Sequence, residues 1–401
     1  MVRRPDLIGA LFLEDDFTDS RIPQISALYL ALVFQLCSFS FGLFAFISIS
    51  FLCKMHKLRI DKIINQPGDN ITLQLQPLGS DYPKYLAGQF ISLVFEGKHK
   101  EIRRSYSFNS SPDVDEPIAI TVKRVENGEI SRLLHHKIAE GDILLAQEPQ
   151  GMFSYLPEEH VERDVFLFAA GVGITPLISI MKTALVREKR SKITLVYSNR
   201  SLEDTLFYNE LNDWRQKYPE RLNIIFIFSN SKNLMTARLN KFYIERLLKE
   251  HLVGDKDKAL FYTCGPIVYM DLCRITLLGM GFDIKQIKRE TFVLPEDEVD
   301  EDDSSEKIVD KNTYSVILNF NGETYNLDIP WPKRILDVAL EHKIKLPYSC
   351  RGGVCSTCVA NCTKGNVRMD YNEVLTDDEV ERGRVLVCTG HPTENGTTIE
   401  W

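Results

Sequence analysis

Pro347–Cys358 reads PYSCRGGVCSTC, which places Cys350, Cys355 and Cys358 within nine residues. A further cysteine, Cys388, follows in the stretch VLVCTGHP. Thiolates this close in a chain serve as ligands of one soft metal centre, and two chemistries compete for them: structural zinc and an iron–sulfur cluster. The glycines Gly352 and Gly353 let such a loop wrap a centre and aim backbone N–H groups at its sulfurs.

The surrounding composition narrows the choice. The chain has 401 residues, 44% hydrophobic and 26% charged, with a net charge of −8. That length implies several domains with full cores. No Lys/Arg block forms a nucleic-acid patch, so no nucleic-acid partner is expected. Nine cysteines are unevenly spread: Cys37 and Cys53, then Cys264 and Cys273, then five from Cys350 onward. A disulfide framework would be shorter and more even. Local metal binding in a reducing compartment fits better. Zinc sites mostly use two separated C-x2-C knuckles, whereas here one tight pair has an offset third ligand and a distant fourth. That C-x4-C-x2-C…C spacing matches a [2Fe-2S] centre. Cys362 is left over and reads as a core residue. Two strands, TYSVILNF and TYNLDIP, and a helix near ILDVALEHK precede the loop. Residues 312–401 thus resemble a plant-type ferredoxin with an α+β, β-grasp fold, which implies Cys350, Cys355, Cys358 and Cys388 as cluster ligands.

The segment 295–311, within LPEDEVDEDDSSEKIVDKN, is acidic and poor in large apolar side chains, so it reads as a linker. Before it, residues 161–294 read as an α/β domain with a parallel sheet. DVFLFAAGVGITPLISIM runs an apolar strand into a glycine turn and a helix. Gly171 and Gly173 allow close backbone approach, and Thr175 and Pro176 open the helix. A later strand, ALFYTCGP, ends in Cys264, Gly265 and Pro266. The second strand, KITLVYSNR, carries no carboxylate at its end to hold ribose hydroxyls. Arg200, with Arg238, can instead meet a 2′-phosphate, so NADPH is expected, with NADH possible.

Residues 54–160 read as a small antiparallel β-barrel, from the alternating runs LRIDKII, ITLQLQP, FISLVFE, SYSFNSS and IAITVKRV. RRSYSFNS contains R-x-Y-S as Arg104, Tyr106 and Ser107. Arg104 and Tyr106 share a strand face, and a guanidinium there can grip a diphosphate. NGEISRLL places Gly128 and Ser131 in G-x-x-S, with Ser131 expected to cap the following helix, an anion site.

These motifs make residues 58 to 292 resemble the ferredoxin–NADP reductase superfamily. The resemblance implies that R-x-Y-S contacts a flavin, with Ser107 at a ring nitrogen, and that G-x-x-S supports the diphosphate of FAD. It further implies that G-V-G-I-T-P and C-G-P flank the nicotinamide, with Thr175 and Cys264 at the reacting face. Glu290 and Phe292, in RETFVLP, fall where relatives set groups near the flavin. The domain order resembles class IA-like oxygenase reductases and phenylacetyl-CoA epoxidase reductase subunits.

Residues 1–24 precede a run without charge, Ile25–Cys53, followed by Lys54, Lys57, Arg59 and Lys62. The run is long enough for a single transmembrane helix, and the basic flank places the C-terminal domains in the cytoplasm. The multidomain chain is therefore expected to be a membrane-anchored reductase that passes electrons from NADPH through FAD and the cluster. Its expected acceptor is a membrane-bound or membrane-associated oxygenase, desaturase or hydroxylase. An alternative is an NADH-oxidising subunit of a respiratory quinone-reducing complex, but there the ferredoxin domain lies between span and flavin domain. A non-catalytic redox sensor would not need complete flavin and nicotinamide motifs.

Overall fold

A computed structural model describes residues 55–79, 83–97, 101–233, 235–292 and 312–401. The expected span 25–53 and linker 295–311 lie outside the described residues. Among the described residues, no helix is long and apolar enough to cross a membrane.

The first layer is a six-stranded antiparallel sheet. Its strands are β1 (Met55–Gln66), β2 (Asn70–Pro77), β3 (Phe90–Glu96), β4 (Glu101–Ser107), β5 (Ile118–Lys123) and β6 (Ile143–Gln147), in the order β4-β3-β6-β1-β2-β5. An isolated bridge between Phe108 and Ile120 joins the two edges, so the sheet curls into a barrel. Alternation drives this: in β1, Leu58 and Ile60 point into the core while their neighbours face out. Two details differ from the sequence reading. SYSFNSS is not a strand of its own: β4 begins at Glu101 and ends at Ser107, and the polar residues after Phe108 turn away, Ser110 to Tyr85 and Ser111 to Thr183 of the helix Ile174–Arg187. Strand β6 has only five residues, ILLAQ, too few to show a period, yet it sits centrally between β3 and β1.

The second layer is a parallel sheet of β7 (Asp164–Ala170), β8 (Lys192–Asn199), β9 (Leu222–Phe228), β10 (Leu260–Cys264) and β11 (Ile287–Glu290), ordered β11-β10-β7-β8-β9. Near-continuous apolar burial in β7 is what a strand covered on both faces requires. Helix α1 (Glu129–His136) belongs to the barrel region, while α2 (Ile174–Arg187), α3 (Tyr208–Lys217), α4 (Lys241–His251) and α5 (Ile267–Gly279) serve this sheet. The third layer has β12 (Thr313–Phe320), β13 (Glu323–Pro330), β14 (Val359–Lys364), β16 (Arg384–Leu386) and β18 (Thr397–Glu400), ordered β13-β12-β18-β14-β16. The hairpin β15 (Val367–Met369) with β17 (Gly390–Pro392) lies beside it. The first and last strands, β12 and β18, pair in parallel, and helix α6 (Ile335–Glu341) buries Ile335, Leu336, Val338 and Ala339 against the sheet. This is the expected β-grasp arrangement.

Candidate functional site: a cleft between barrel, nucleotide sheet and cysteine loop

Strand β4 ends at Ser107, β11 ends at Glu290, and the cysteine loop begins at Ser349. These three ends border one solvent-open cleft with a cavity volume of about 140 Å³. Its walls include Arg104 and Ser107 from the barrel, Glu290 and Phe292 from the nucleotide domain, and Cys350 and Cys355 from the loop. Segments far apart in sequence thus meet at one place.

The buried polar atoms of this cleft show what it would hold. Ser107 is 4% exposed, and its Oγ has no hydrogen-bond partner among the described residues. A buried hydroxyl in that state carries a desolvation cost unless a ligand satisfies it. Glu290 Oε2 is likewise buried without a partner, and burial pushes the carboxyl up to about 8. Arg104 is exposed and donates from Nη1 to the Arg103 carbonyl at 2.8 Å. Tyr106, on the same face as Arg104, is half-buried, and burial raises its phenol. An unsatisfied hydroxyl, a solvent-facing guanidinium and a packed phenol fit a flavin.

The expected nicotinamide side, at the glycine turn, is built largely from backbone. Tyr197 Oη donates to the Gly171 carbonyl at 3.1 Å, and Thr175 Oγ1 donates to the Val172 carbonyl at 3.1 Å, so the glycine turn is tied at both ends. A Cβ on Gly173 would stand 2.2 Å from the Cys264 carbonyl oxygen. The turn and the Cys264–Gly265–Pro266 corner are therefore packed together. Cys264 is fully buried and is the register partner of Glu290 across β10 and β11. Burial, and then the neighbouring Glu290, push its thiol well up, so it remains a neutral packing group. Thr175 sits in α2, which starts one residue earlier, at Ile174.

Ser131 departs from its expected role. Helix α1 begins at Glu129, with Gly128 as its N-cap and no side-chain cap. Ser131 is already inside the first turn; its Oγ accepts from the Val125 N–H at 3.1 Å and lies 3.3 Å from the Gly128 carbonyl. It fastens the loop to the helix, and neither Gly128 nor Ser131 lines the cleft. Arg200 and Arg238 are both exposed, beyond β8 and ahead of α4, and also lie off the cleft.

In the cysteine loop, Cys350 neighbours Cys355 and Cys388, and Cys388 neighbours Cys358, close enough for the thiols to perturb one another's titration. The four cysteines thus gather in one region, although no closed cage of three or more metal ligands is present among the described residues. The Cys350 N–H points at the Cys355 sulfur, and the Gly352 N–H at that of Cys350, each at 3.4 Å. Gly353 has φ +77°, and a Cβ there would lie 2.5 Å from the Tyr371 carbonyl oxygen, so only glycine fits this turn. Four convergent thiols with amides aimed at them fit a [2Fe-2S] centre. Cys362 lies on β14, only half-buried, against the edge of the core rather than inside it. Its thiol approaches the carbonyls of Lys364 and Gly365, away from the other four.

Sequence reasoning missed the residues that join the domains. Ser349 Oγ hydrogen-bonds Ser92 Oγ and Ser105 Oγ, and Arg103 reaches the Tyr348 carbonyl. Arg289 pairs with both Asp271 and Glu373. Only the Arg103–Arg104 doublet gave any signal, and one arginine was enough for the flavin motif.

Three family matches agree with these three layers: an oxidoreductase FAD-binding domain over residues 66–155, an oxidoreductase NAD-binding domain over 167–274, and a 2Fe-2S iron-sulfur cluster binding domain over 318–393. A component of the 1,2-phenylacetyl-CoA epoxidase of Escherichia coli (strain K12) is 31% identical over 359 residues, covering 86% of this chain and 97% of that protein. The chain belongs to this family. It is a ferredoxin-reductase-type, NAD(P)H-dependent flavin and [2Fe-2S] oxidoreductase. The ferredoxin reductase component of 3-ketosteroid-9-alpha-monooxygenase from Rhodococcus rhodochrous is 30% identical, covering 79% of this chain and 88% of that one. Among solved structures, phthalate dioxygenase reductase shares the fold with a TM-score of 0.54 at 22% identity, over 86% of this chain and 98% of that one.

When bound, a flavin would take one hydride, and so two electrons, from the nicotinamide and release them singly, which is what a [2Fe-2S] centre can accept. The chain's part is positional. Ser107 would hold the flavin in the cleft, and Glu290 keeps a proton in the wall at neutral pH. The turn at Gly171–Gly173 and the Cys264 corner would shape the nicotinamide side. The amides at Cys350 and Gly352 would steady the sulfurs of a bound cluster.

Proposed function

We propose that this chain carries electrons from NADPH to a membrane-bound or membrane-associated oxygenase, desaturase or hydroxylase. The observation that carries the reading is the shared cleft, which Ser107 of the flavin motif and Cys350 of the cluster motif both line. That arrangement suits a flavin emptied through the cluster to an outside acceptor. The names of the relatives support an oxygenase as that acceptor: an epoxidase component, steroid monooxygenase components and the reductase of a glycine betaine monooxygenase. The uncharged run Ile25–Cys53, with its basic flank, supports a membrane location with the catalytic domains in the cytoplasm. An anchor would raise the effective concentration of such a partner. The solvent-facing Arg200 and Arg238, which form no ion pair among the described residues, support a 2′-phosphate and hence NADPH.

The test is purification of the full chain from membranes in mild detergent, with NADPH-dependent turnover of whatever oxygenase accompanies it. Recovery in the soluble fraction after gentle lysis contradicts the anchor. Efficient reduction of quinone by the purified chain in lipid favours the respiratory alternative. Protease added outside intact cells should leave residues 54–401 uncut.

A further inference from the structure

Arg103 alternates with Arg104 on β4, so the two side chains leave the strand on opposite faces, and both line the cleft. Arg104 faces solvent, while the Arg103 side chain is 16% exposed. Its Nε donates to Glu101 Oε1 at 2.6 Å, and its Nη1 donates to the Tyr348 carbonyl at 2.8 Å. Its guanidinium carbon stands 3.9 Å from the centre of the Tyr348 ring. Three independent contacts thus fix one arginine, and two of them lie on a residue 245 positions away. Tyr348 is followed by Ser349, which bonds Ser92 and Ser105, and then by Cys350 in the cleft wall.

We propose that Arg103 is a positioning residue for electron transfer from flavin to cluster, clamping Tyr348 and thereby holding the Cys350 end of the loop against the flavin strand. Tunnelling between two centres depends steeply on their separation, so a clamp beside a cluster ligand acts on this step directly. One electron leaves the flavin and one enters the cluster; the clamp exchanges no proton and no bond. A planar guanidinium does this better than an ammonium, because one group both stacks on the ring and bonds the carbonyl. The serine contacts alone would fix the position of Ser349 but not the rotation of the loop about it. Arg289, paired with Glu373, braces the same domain from the nucleotide side, and the Glu373 N–H bonds the Gly353 carbonyl within the loop.

The experiment uses the full chain loaded with FAD and cluster. Arg103→Ala, Arg103→Lys and Tyr348→Leu are compared with wild type by single-turnover stopped flow, following flavin and cluster absorbance separately. Amide hydrogen exchange of the 348–355 loop supplies a reading that does not depend on turnover. In Tyr348→Leu, flavin reduction by NADPH should keep its rate while cluster reduction slows roughly tenfold, the size expected from losing a partly desolvated cation–π contact. Arg103→Ala should slow cluster reduction further and raise exchange in the loop, with Arg103→Lys between it and wild type. Should Arg103→Ala fail to fold, Tyr348→Leu carries the test alone, because it leaves the barrel intact. Unchanged cluster reduction with unchanged loop exchange overturns the proposal. So does slowing of flavin reduction and cluster reduction by the same factor in Tyr348→Leu.

Discussion

Ser349 Oγ lies 2.8 Å from Ser92 Oγ, a hydrogen bond that joins residues 257 positions apart and brings the first cluster cysteine to the flavin barrel. Both serines are almost fully buried. Ser349→Ala leaves the Ser92 and Ser105 hydroxyls with only each other, at 3.1 Å. The expected cost is about 1–2 kcal/mol of stability, seen as a lower urea midpoint with an unchanged slope.

Ser107→Ala removes the buried hydroxyl that has no partner among the described residues. A purely structural serine would then be replaced at little cost. A flavin-bonding one should lower the rate of flavin reduction roughly tenfold, the weight of one neutral hydrogen bond, while the thermal midpoint without FAD stays level or rises. Rapid-reaction kinetics with NADPH, beside melting curves of the FAD-free protein, separate the two.

Glu290 ties pH to the cleft. Its carboxyl is pushed from an ordinary 4.5 up to about 8 by burial. Between those values the folded chain holds a proton that the unfolded chain has released. This contribution to stability is full below about 4.5 and is lost as pH rises through about 8. Glu290→Gln should flatten the decline in melting temperature between about pH 4.5 and about pH 8, the interval over which folded and unfolded states differ in proton occupancy. An unaltered decline in the variant shows that another group is responsible.

Gly173→Ala puts a methyl group 2.2 Å from the Cys264 carbonyl oxygen. The backbone has to shift there, at a cost of about 1–3 kcal/mol. The shift separates the two motifs expected to flank the nicotinamide, so KM for NADPH should rise while FAD content is retained. Steady-state kinetics with parallel flavin quantitation checks this.

Arg200→Ala should raise KM for NADPH and leave NADH nearly unaffected if Arg200 meets the 2′-phosphate. A wild-type preference for NADH contradicts that assignment outright.

The parts legible in the sequence were those whose logic is local. Period-two burial in β1, the long apolar run of β7 and the glycine turn between Cys350 and Cys355 each follow from a few adjacent residues. Ser131 was misread because a serine before apolar residues resembles a cap, whereas the chain turned into the helix at Glu129. Strand β6 was missed because five residues cannot display a period. The contacts of Arg103 with Tyr348 and of Ser349 with Ser92 were invisible for a different reason. They are tertiary pairings between ordinary polar residues, with no spacing rule to connect them.

The account stands most directly on the electron exit. In the full chain, Cys388→Ser removes one ligand of a centre that normally needs four. NADPH-reduced wild type should show the electron paramagnetic resonance signal of a reduced [2Fe-2S] centre, and the variant should lack it. The variant should still reduce ferricyanide, which can draw on the flavin, but lose most of its cytochrome c reduction. If it passes electrons to cytochrome c at the wild-type rate with the signal gone, the cluster is not the exit and the account is contradicted.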